Sequence, residues 1–312
     1  MIDAHGRKIE YLRLSVTQRC NLKCLYCNPS EVEDCALLTP KQIEKIVNFM
    51  TLMGIRKVRL TGGEPLMRSD LEDIIQRIAA IDGINDLPLS TNGIGLETRI
   101  HRLYEAGVTR FNISLDSLSR EKYAGITGVD GLEAVIRAIR KALDLNISIK
   151  LNAVLMRGIN DDEIDNFISL AKDNPLEVRF IELMPIGNYG ESNQSRVIRS
   201  EEILASRPYL TYVGEGVEGV AELYKASDFK GIVGFISPVS HKFCRNCNRI
   251  RLTAEGTIKP CLGDNGEVSL VPLLNNDSEL YEAIRNAIYK KPKGHCFDAG
   301  YKSLRDMKRI GG

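Results

Sequence analysis

Residues 11–27 read YLRLSVTQRCNLKCLYC, in which an alternating apolar and polar segment runs directly into three cysteines. The apolar positions Leu12, Leu14 and Val16 are two residues apart, which is typical of a β-strand with one buried face. Five further segments alternate similarly, and helical segments separate them. The six strand segments span residues 11–17, 57–61, 86–90, 110–115, 147–155 and 177–184. Such repeated strand and helix units predict a parallel sheet.

Two of the intervening helices begin at recognisable signals. Thr39 followed by Pro40 is a typical N-cap and first-turn pair, and Gly54 suits the end of the same helix. Ser69 and Glu72 have the spacing of a capping box. The sequence therefore predicts one helix between Pro40 and Gly54 and a second helix that opens at Ser69.

The number of strand segments determines the predicted architecture. Six strand and helix units are too few to close an eight-stranded barrel. From about residue 200 the regular pattern weakens, and a hairpin is expected with its turn at Glu255 and Gly256. We therefore predict an α/β fold with an open, partial (βα)6 barrel at residues 1–200, followed by a smaller module at residues 201–312.

In the first five predicted strands, the positions that alternate with the apolar ones are polar and partly cationic, whereas the sixth strand fits this rule poorly. The polar positions are Arg13, Ser15, Arg59, Thr61, Ser90, Asn112, Ser114, Asp116, Lys150 and Asn152. A barrel lumen lined by such residues at the strand ends would suit a large polyanion. Alternatively, these residues form the solvated faces of exposed antiparallel strands. The alternation of strands with helices favours the lumen.

The composition argues against several broad classes of protein, among them nucleic-acid-binding and membrane proteins. The chain has 312 residues, of which 43% are hydrophobic and 27% charged, as expected for a globular protein with a large core. The 42 Lys and Arg residues nearly balance 41 Asp and Glu residues, so no net field favours nucleic acid or anionic lipid. Neither a leader peptide nor a membrane-spanning segment is expected. We expect a cytoplasmic protein without a nucleic-acid or membrane partner.

Cysteine spacing points to metal ligation. Eight cysteines would indicate disulfides in a small secreted protein, but metal binding is the better expectation in a chain of this size. Cys35 and Cys296 lie apart from the others. The remaining six form two groups, which are Cys20, Cys24 and Cys27, and then Cys244, Cys247 and Cys261.

The first group has C-x3-C-x2-C spacing directly after the first strand. A structural zinc site needs four ligands, and no fourth cysteine or histidine lies at motif spacing. Three thiolates can instead hold a [4Fe-4S] cluster and leave one iron open. That iron can chelate the amino and carboxylate groups of S-adenosylmethionine, whose one-electron cleavage yields a 5′-deoxyadenosyl radical. The alternative is a zinc knuckle that recruits Cys35.

These cysteines and a second motif resemble the radical S-adenosylmethionine superfamily. The motif TGGEP, residues 61–65, follows a strand and precedes a helix. Its paired glycines would let the backbone approach the amino group of the cosubstrate closely. Alone, a glycine pair would more often form only a tight turn.

The second cysteine group narrows the resemblance to one family within the superfamily. Its spacing is C-x2-C-x13-C, and Arg249 and Arg251 follow the pair. On spacing alone it could be a zinc ribbon that lacks one cysteine, or a structural cluster. Together with KVRL at 57–60, FNISLD at 111–116, RFIELM at 179–184 and the terminal Gly311 and Gly312, it resembles the GTP 3′,8-cyclase family over essentially the whole chain.

The resemblance implies a role for each matching residue. Cys20, Cys24 and Cys27 would ligate the [4Fe-4S] cluster that binds S-adenosylmethionine, and Cys244, Cys247 and Cys261 a second [4Fe-4S] cluster. The implied cosubstrate contacts are Tyr26, Gly63, Ser114 and Met184. The implied GTP contacts are Arg13, Lys57, Arg59, Ser90, Lys150, Arg179, Arg249, Ile250 and Arg251. Catalytic roles are implied for Arg249, Arg251, Gly311 and Gly312, because the family's C-terminal tail reaches the active site.

The resemblance also implies a reaction and its partners. The deoxyadenosyl radical would take a hydrogen from C3′ of GTP, and the C3′ radical would attack C8. One-electron reduction and protonation would then give 3′,8-cyclo-7,8-dihydro-GTP, the first step of molybdenum cofactor biosynthesis. An external flavodoxin-like or ferredoxin-like reductant would donate electrons to this lyase. A downstream cyclic pyranopterin monophosphate synthase would use the product, and the chain could form a homodimer.

The sequence departs from the family in a few places. Asn28 stands where Met is usual, Ser90 where Thr is common, and residues 29–38 form a short segment in which Cys35 has no assigned role. One rival interpretation is a different radical enzyme with an auxiliary cluster, although peptide maturases usually carry more C-terminal cysteines. A non-catalytic metal or electron carrier is the other, and it would leave TGGEP and the cationic strand positions unexplained.

Overall fold

The computed structural model describes residues 1–27, 36–216, 219–297, 300, 302–305 and 307–311. Within these residues, twelve strands form one mixed sheet, accompanied by ten α-helices. The strands are β1 (Tyr11–Ser15), β2 (Lys57–Thr61), β3 (Leu89–Thr91), β4 (Phe111–Ser114), β5 (Ile149–Leu155), β6 (Glu177–Glu182), β7 (Thr211–Glu215), β8 (Glu222–Lys225), β9 (Ile232–Ile236), β10 (Arg249–Leu252), β11 (Thr257–Lys259) and β12 (Val268–Ser269). The helices are α1 (Pro40–Leu52), α2 (Leu71–Ala79), α3 (Leu96–Glu105), α4 (Arg120–Thr127), α5 (Leu132–Asp144), α6 (Ile164–Asp173), α7 (Gly187–Ser192), α8 (Ser200–Ala205), α9 (Asp277–Tyr289) and α10 (Met307–Ile310).

The first six strands form the predicted parallel sheet. The full strand order is β12-β11-β10-β1-β2-β3-β4-β5-β6-β9-β8-β7, so β1 to β6 follow chain order. Each is parallel to its neighbour. All six strand predictions are confirmed to within a few residues, as is the open α/β architecture.

The strands after residue 200 extend the same sheet at both edges. β10 pairs in parallel with β1, and β9 pairs in parallel with β6. β10 and β11 form the predicted hairpin, in which Gly256 has a φ of 86°. The division at residue 200 stays a prediction, but the strands on its two sides share one sheet.

The two predicted helix starts differ in outcome. At α1 the Thr39 side chain accepts a hydrogen bond from the Gln42 backbone N–H, as expected of an N-cap. The capping box at Ser69 is wrong, because α2 begins at Leu71 without a side-chain cap. Glu72 instead pairs with Arg99 of α3, with 2.6 Å between carboxylate and guanidinium.

The two parities of the strands separate core from lumen. The apolar positions Leu12, Leu60 and Phe111 are fully buried in the main hydrophobic core. β6 fits the rule only in part. Phe180 packs edge-to-face on Phe167 of α6 and Arg179 lies on the opposite parity, but the apolar Ile181 and the acidic Glu182 reverse the pattern, as the poor fit of this strand predicted. No helix among the described residues is long and apolar enough to cross a membrane.

Candidate active site

The two cysteine groups line one cavity. The first group follows β1 and ends in a short 3-10 turn, Leu25–Cys27. In the second, Cys244 and Cys247 precede β10, and Cys261 follows β11. These groups are more than 200 residues apart in sequence, and the parallel pairing of β10 with β1 brings them together. All six thiols are free, as metal ligands must be.

Burial shifts the pKa values of groups around the first cysteine group, and a tyrosine hydrogen bond holds its loop in place. The Tyr26 hydroxyl donates to Asp116 at 2.6 Å, and the Val154 N–H donates to the same carboxylate at 2.8 Å. Burial raises the pKa of Asp116 to about 6. Burial also raises the pKa of Cys24, and the charges of Cys27 and Asp116 reinforce that shift. A metal that binds Cys24 must therefore displace its proton.

The glycines of TGGEP are required by close backbone contacts. A Cβ at Gly62 would lie 2.4 Å from the Thr17 carbonyl oxygen, and one at Gly63 would lie 2.3 Å from the Arg19 carbonyl oxygen. The Gly63 N–H donates to Thr17 at 2.8 Å. The two glycines therefore let the TGGEP turn pack closely against the segment just before Cys20. Gly63 also lines the cavity, and its contact with the cosubstrate stays a prediction.

Glu64 is a site residue that had no predicted role. Its buried carboxylate accepts hydrogen bonds from the Thr91 hydroxyl at 2.8 Å and the Asn92 backbone N–H at 2.6 Å. Burial raises the pKa of Glu64 to about 7 despite these bonds. Glu64 therefore links the TGGEP turn to the end of β3 at the cavity wall.

Positive charge surrounds the second cysteine group. Although burial alone would raise it, the charges of Arg249 and Lys291 lower the pKa of Cys247 to about 6. Hydrogen bonds from His295 likewise overcome burial and lower the pKa of Cys244. Burial raises the pKa of Cys261, and Lys291 opposes the shift. The pKa shifts of Cys244 and Cys247 are thus in the direction of the thiolate form that binds metal.

Three arginines form a row across the neighbouring strands. Arg13 of β1 is the register partner of both Arg251 of β10 and Arg59 of β2. All three line the cavity, as do Arg249 and Arg179. Burial, followed by the charges of Arg13 and Arg249, lowers the pKa of Arg251 well below its ordinary value. This concentration of cations fits an anionic ligand better than an empty, water-filled lumen.

The remaining predicted residues fall into two sets. Tyr26, Gly63, Ser90, Ser114 and Met184 line the cavity. Lys57, Lys150 and Ile250 do not appear on its wall. Lys57 pairs with Asp86 at 3.1 Å, Lys150 pairs with Glu177 at 2.6 Å, and the Ile250 side chain is fully buried. Of the family departures, Asn28 and Cys35 lie outside the described residues.

The C-terminal tail reaches the arginine row. The Arg251 guanidinium donates to the Gly311 carbonyl oxygen, and Gly311 has a φ of 78°. A Cβ there would lie 2.9 Å from Cγ2 of Thr61 and 3.2 Å from Cβ of Ser15. Arg305 pairs with Glu267 at 2.8 Å and so anchors the tail to the C-terminal strands. Gly312 lies outside the described residues.

Each cysteine group offers three free thiols to the cavity, the number that holds a [4Fe-4S] cluster with one open iron. Among the residues that the structure describes, no three His, Cys, Asp or Glu side chains can share one metal ion. A [4Fe-4S] cluster needs no such convergence, because each thiolate binds a different iron. A zinc knuckle that includes Cys35 falls outside the described part of the chain.

Family models match both halves of the chain. The Radical SAM superfamily model matches residues 14–171, and the Molybdenum Cofactor Synthesis C model matches residues 176–297.

Curated relatives match the full length. The chain is 44% identical over 319 residues to the GTP 3′,8-cyclase of Clostridium botulinum strain Hall, and 41% identical over 318 residues to that of Clostridium acetobutylicum. In both cases the match covers 100% of each chain.

Solved structures of low sequence identity show the same fold. Streptococcus suis SuiB bound to S-adenosylmethionine has a TM-score of 0.61 at 16% identity, covering 89% of this chain and 68% of that one. Native anSMEcpe with bound AdoMet has a TM-score of 0.57 at 16% identity, covering 92% of this chain and 82% of that one. By its family models and its full-length relatives, the chain belongs to the radical S-adenosylmethionine superfamily and, within it, to the GTP 3′,8-cyclase family.

Proposed function

We propose that this chain is a GTP 3′,8-cyclase, a lyase that joins C3′ of the GTP ribose to C8 of guanine and yields 3′,8-cyclo-7,8-dihydro-GTP. This reaction would open molybdenum cofactor biosynthesis. The observation that carries the proposal is one cavity lined by both cysteine groups and by a row of arginines. Full-length relatives that carry this name support it.

Each cysteine group would hold one [4Fe-4S] cluster. Cys20, Cys24 and Cys27 would hold the first, and Cys244, Cys247 and Cys261 the second. When bound and reduced, the first cluster would supply the electron that cleaves S-adenosylmethionine, and the resulting deoxyadenosyl radical would take the hydrogen from C3′. One further electron and a proton would complete the dihydro product. The protein must bring C3′ close to that radical and exclude water.

The proposed cosubstrate contacts are Tyr26, Gly63, Ser114 and Met184, all of which line the cavity. The hydrogen bond from Tyr26 to Asp116 supports this assignment, because it fixes the loop of the first cysteine group against the end of β4. Gly63 contributes a backbone surface without a side chain. These residues would orient the cosubstrate rather than take part in the bond changes.

The proposed triphosphate site is the arginine row with its neighbours. Arg13, Arg59 and Arg251 would bind phosphate oxygens in pairs, which the planar guanidinium favours. Arg179, Arg249 and Ser90 would complete the site, and Ile250 could offer only backbone atoms. Lys57 and Lys150 each pair with a carboxylate and do not line the cavity. Their contact with GTP therefore stays a prediction. Arg249, Arg251 and the two terminal glycines keep their proposed catalytic role.

Arg251→Ala is expected to weaken GTP binding by about 10- to 150-fold, because a lost hydrogen bond to a charged group costs about 1.5–3 kcal/mol. S-adenosylmethionine affinity should change little. Equilibrium binding of both ligands to the anaerobic protein measures the difference, and the preference for GTP over GMP should shrink. Arg140→Ala, an exposed arginine on α5, is the matched control. Equal weakening of both ligands would contradict the assignment.

Several finer features belong to the proposal. We place the enzyme in the cytoplasm, where thiols stay reduced and available to iron. A flavodoxin-like or ferredoxin-like protein would supply electrons, and a cyclic pyranopterin monophosphate synthase would use the product. A homodimer is also proposed. Sedimentation of the reconstituted protein would test the last point.

The activity itself is tested by anaerobic cluster reconstitution, reduction, and incubation with S-adenosylmethionine and GTP. Mass spectrometry should detect 5′-deoxyadenosine and a cyclised nucleotide of the same mass as GTP. Deoxyadenosine formed without any nucleotide product, under conditions in which GTP binds, would point to another radical enzyme. Absence of both products from protein with full iron and sulfide content would support the non-catalytic carrier.

A further inference from the structure

The segment KPKGHCF, residues 291–297, connects the two parts of the second cysteine group. Lys291 donates from Nζ to the Pro260 carbonyl oxygen at 2.7 Å, next to Cys261. The Cys296 backbone N–H donates to the Gly263 carbonyl oxygen at 3.0 Å. Gly294, the residue before His295, lies against Cys244, because a Cβ there would be 3.7 Å from the Cys244 Sγ. One short segment therefore contacts the chain on both sides of the β10–β11 hairpin.

Lys291 places a buried positive charge beside the cysteines. Its side chain belongs to a residue that is 2% exposed and lines the cavity. Among the described residues, no carboxylate lies within ion-pair distance of its ammonium group. Its Nζ instead lies 2.7 Å from the carbonyl oxygen of Pro260, the residue before Cys261, on a cavity wall that it shares with Cys247. Because a buried charge is costly unless it is paired, thiolates at these positions are its natural counter-ions.

His295 is held in a fixed position against Cys244. Its Nε2 lies 2.8 Å from the Pro238 carbonyl oxygen, and its ring stacks on Phe297 with 4.4 Å between centroids. Gly263 makes room for this pair, since a Cβ there would lie 2.6 Å from Cβ of His295. The ring therefore has little freedom to turn away from Cys244.

Arg7 fastens the same segment to the second cysteine group. Its guanidinium donates to the carbonyl oxygens of Cys244 at 2.9 Å, Lys293 at 3.0 Å and Pro292 at 2.7 Å. Asp3 pairs with the Arg7 Nε at 2.6 Å and fixes its direction. Arg7 therefore gives the segment a third attachment to the second cysteine group, in addition to those made by Lys291 and Cys296.

We propose that Lys291 and His295 are positioning residues for the auxiliary cluster, placing a buried positive charge and a fixed imidazole ring beside its thiolate ligands. This inference rests on the proposed function, which assigns a cluster to Cys244, Cys247 and Cys261. Reduction adds negative charge to an iron–sulfur cluster, so a nearby cation stabilises the reduced form. Lys291 should therefore raise the reduction potential of the auxiliary cluster, with His295 acting in the same direction through Cys244.

The test is a potentiometric titration of the reconstituted protein, followed by electron paramagnetic resonance. Lys291→Met removes the charge but keeps an unbranched side chain. At a fixed potential near the midpoint it should lower the reduced-to-oxidised ratio of the auxiliary cluster at least about tenfold, which is about 59 mV for a one-electron couple. The first cluster should be unaffected. Lys291→Arg should restore most of the ratio, and the exposed neighbour serves as the control in Lys290→Met.

Two further variants keep the test decisive. His295→Gln does not remove a buried charge, so it should lower the reduction potential of the auxiliary cluster by less than Lys291→Met. It also tests the inference if Lys291→Met does not fold. A Cys24→Ser background removes the signal of the first cluster and isolates the second. An unchanged auxiliary potential in folded Lys291→Met and His295→Gln protein would overturn the inference while GTP cyclisation by the wild type persisted. Zinc or a single cluster in the wild type would instead overturn the proposed function.

Discussion

Cys24→Ser is expected to abolish both 5′-deoxyadenosine and the cyclised nucleotide, whereas Cys261→Ser should abolish only the nucleotide. Cys24 belongs to the group that follows β1 and would hold the electron-donating cluster. Cys261 lies after β11, in the other group. Its loss leaves the TGGEP turn and the Tyr26 contact with Asp116 in place. Reductive cleavage of S-adenosylmethionine should therefore continue without conversion of GTP.

The measurement combines iron, sulfide and zinc content with the yields of deoxyadenosine and nucleotide product. Cys296→Ser is the matched control, because this thiol is exposed and outside both groups. A zinc ribbon predicts a different result, namely zinc in the wild type and misfolding of the C-terminal part in Cys261→Ser. Normal cyclisation by Cys261→Ser would show that the C-terminal cysteines do not serve the substrate chemistry.

The sequence predicted the sheet well because its signals are local. Alternation within β1, β2 and β4 determines which face is buried, and the helices between them require parallel pairing. The pairing of β10 with β1 has no such local signal. It joins Arg13 to Arg251 across more than 200 residues, and only the folded chain shows that β9 and β10 lie at opposite edges of the barrel strands.

The alternation of residues predicted which face of the sheet a side chain occupies, but not how far along the strand it lies. Lys57 is the first residue of β2, whereas sites in parallel barrels form at the carboxyl ends of strands. Its partner Asp86 lies at the same end of the sheet. Lys150, near the start of β5, is paired with Glu177, the first residue of β6. Their distance from the strand ends was already visible in the predicted strand segments, and their contact with GTP stays a prediction.

The residues that sequence reasoning missed act through other residues. Lys291 and His295 lie far from the cysteine motif in sequence and belong to no pattern that marks a ligand. Glu64 lay inside a recognised motif, but its contacts with Thr91 and Asn92 depend on β3 lying beside β2. A buried carboxylate is visible only once its surroundings are known.

Gly311 occupies a position that a side chain could not share. Gly311 lies against Ser15 and Thr61, which are register partners at the carboxyl ends of β1 and β2. Its carbonyl accepts the hydrogen bond from Arg251. The residue before it, Ile310, is fully buried, so the described tail packs into the protein rather than fraying.

Deletion of Gly311 and Gly312 is therefore expected to abolish GTP cyclisation while both clusters are retained. The deletion removes the acceptor for Arg251 and places the terminal carboxylate on Ile310. Gly311→Ala should have a smaller but still large effect, because its Cβ would lie 2.9 Å from Thr61. Gly6→Ala is the matched control, since Gly6 has a φ of 79° but no heavy atom within 4 Å of the added Cβ. It carries the same backbone strain without the contact.

The assay compares nucleotide product, deoxyadenosine and iron content in the three variants and the wild type. We expect full iron content in all of them, and continued cosubstrate cleavage without cyclisation in the deletion protein. Such uncoupling would mean that the tail acts on the nucleotide rather than on the first cluster, because the Cys20, Cys24 and Cys27 site is unchanged. Wild-type turnover by the deletion protein would mean that Gly311 only fills space beside Arg251, and that the arginine row needs no partner from the tail.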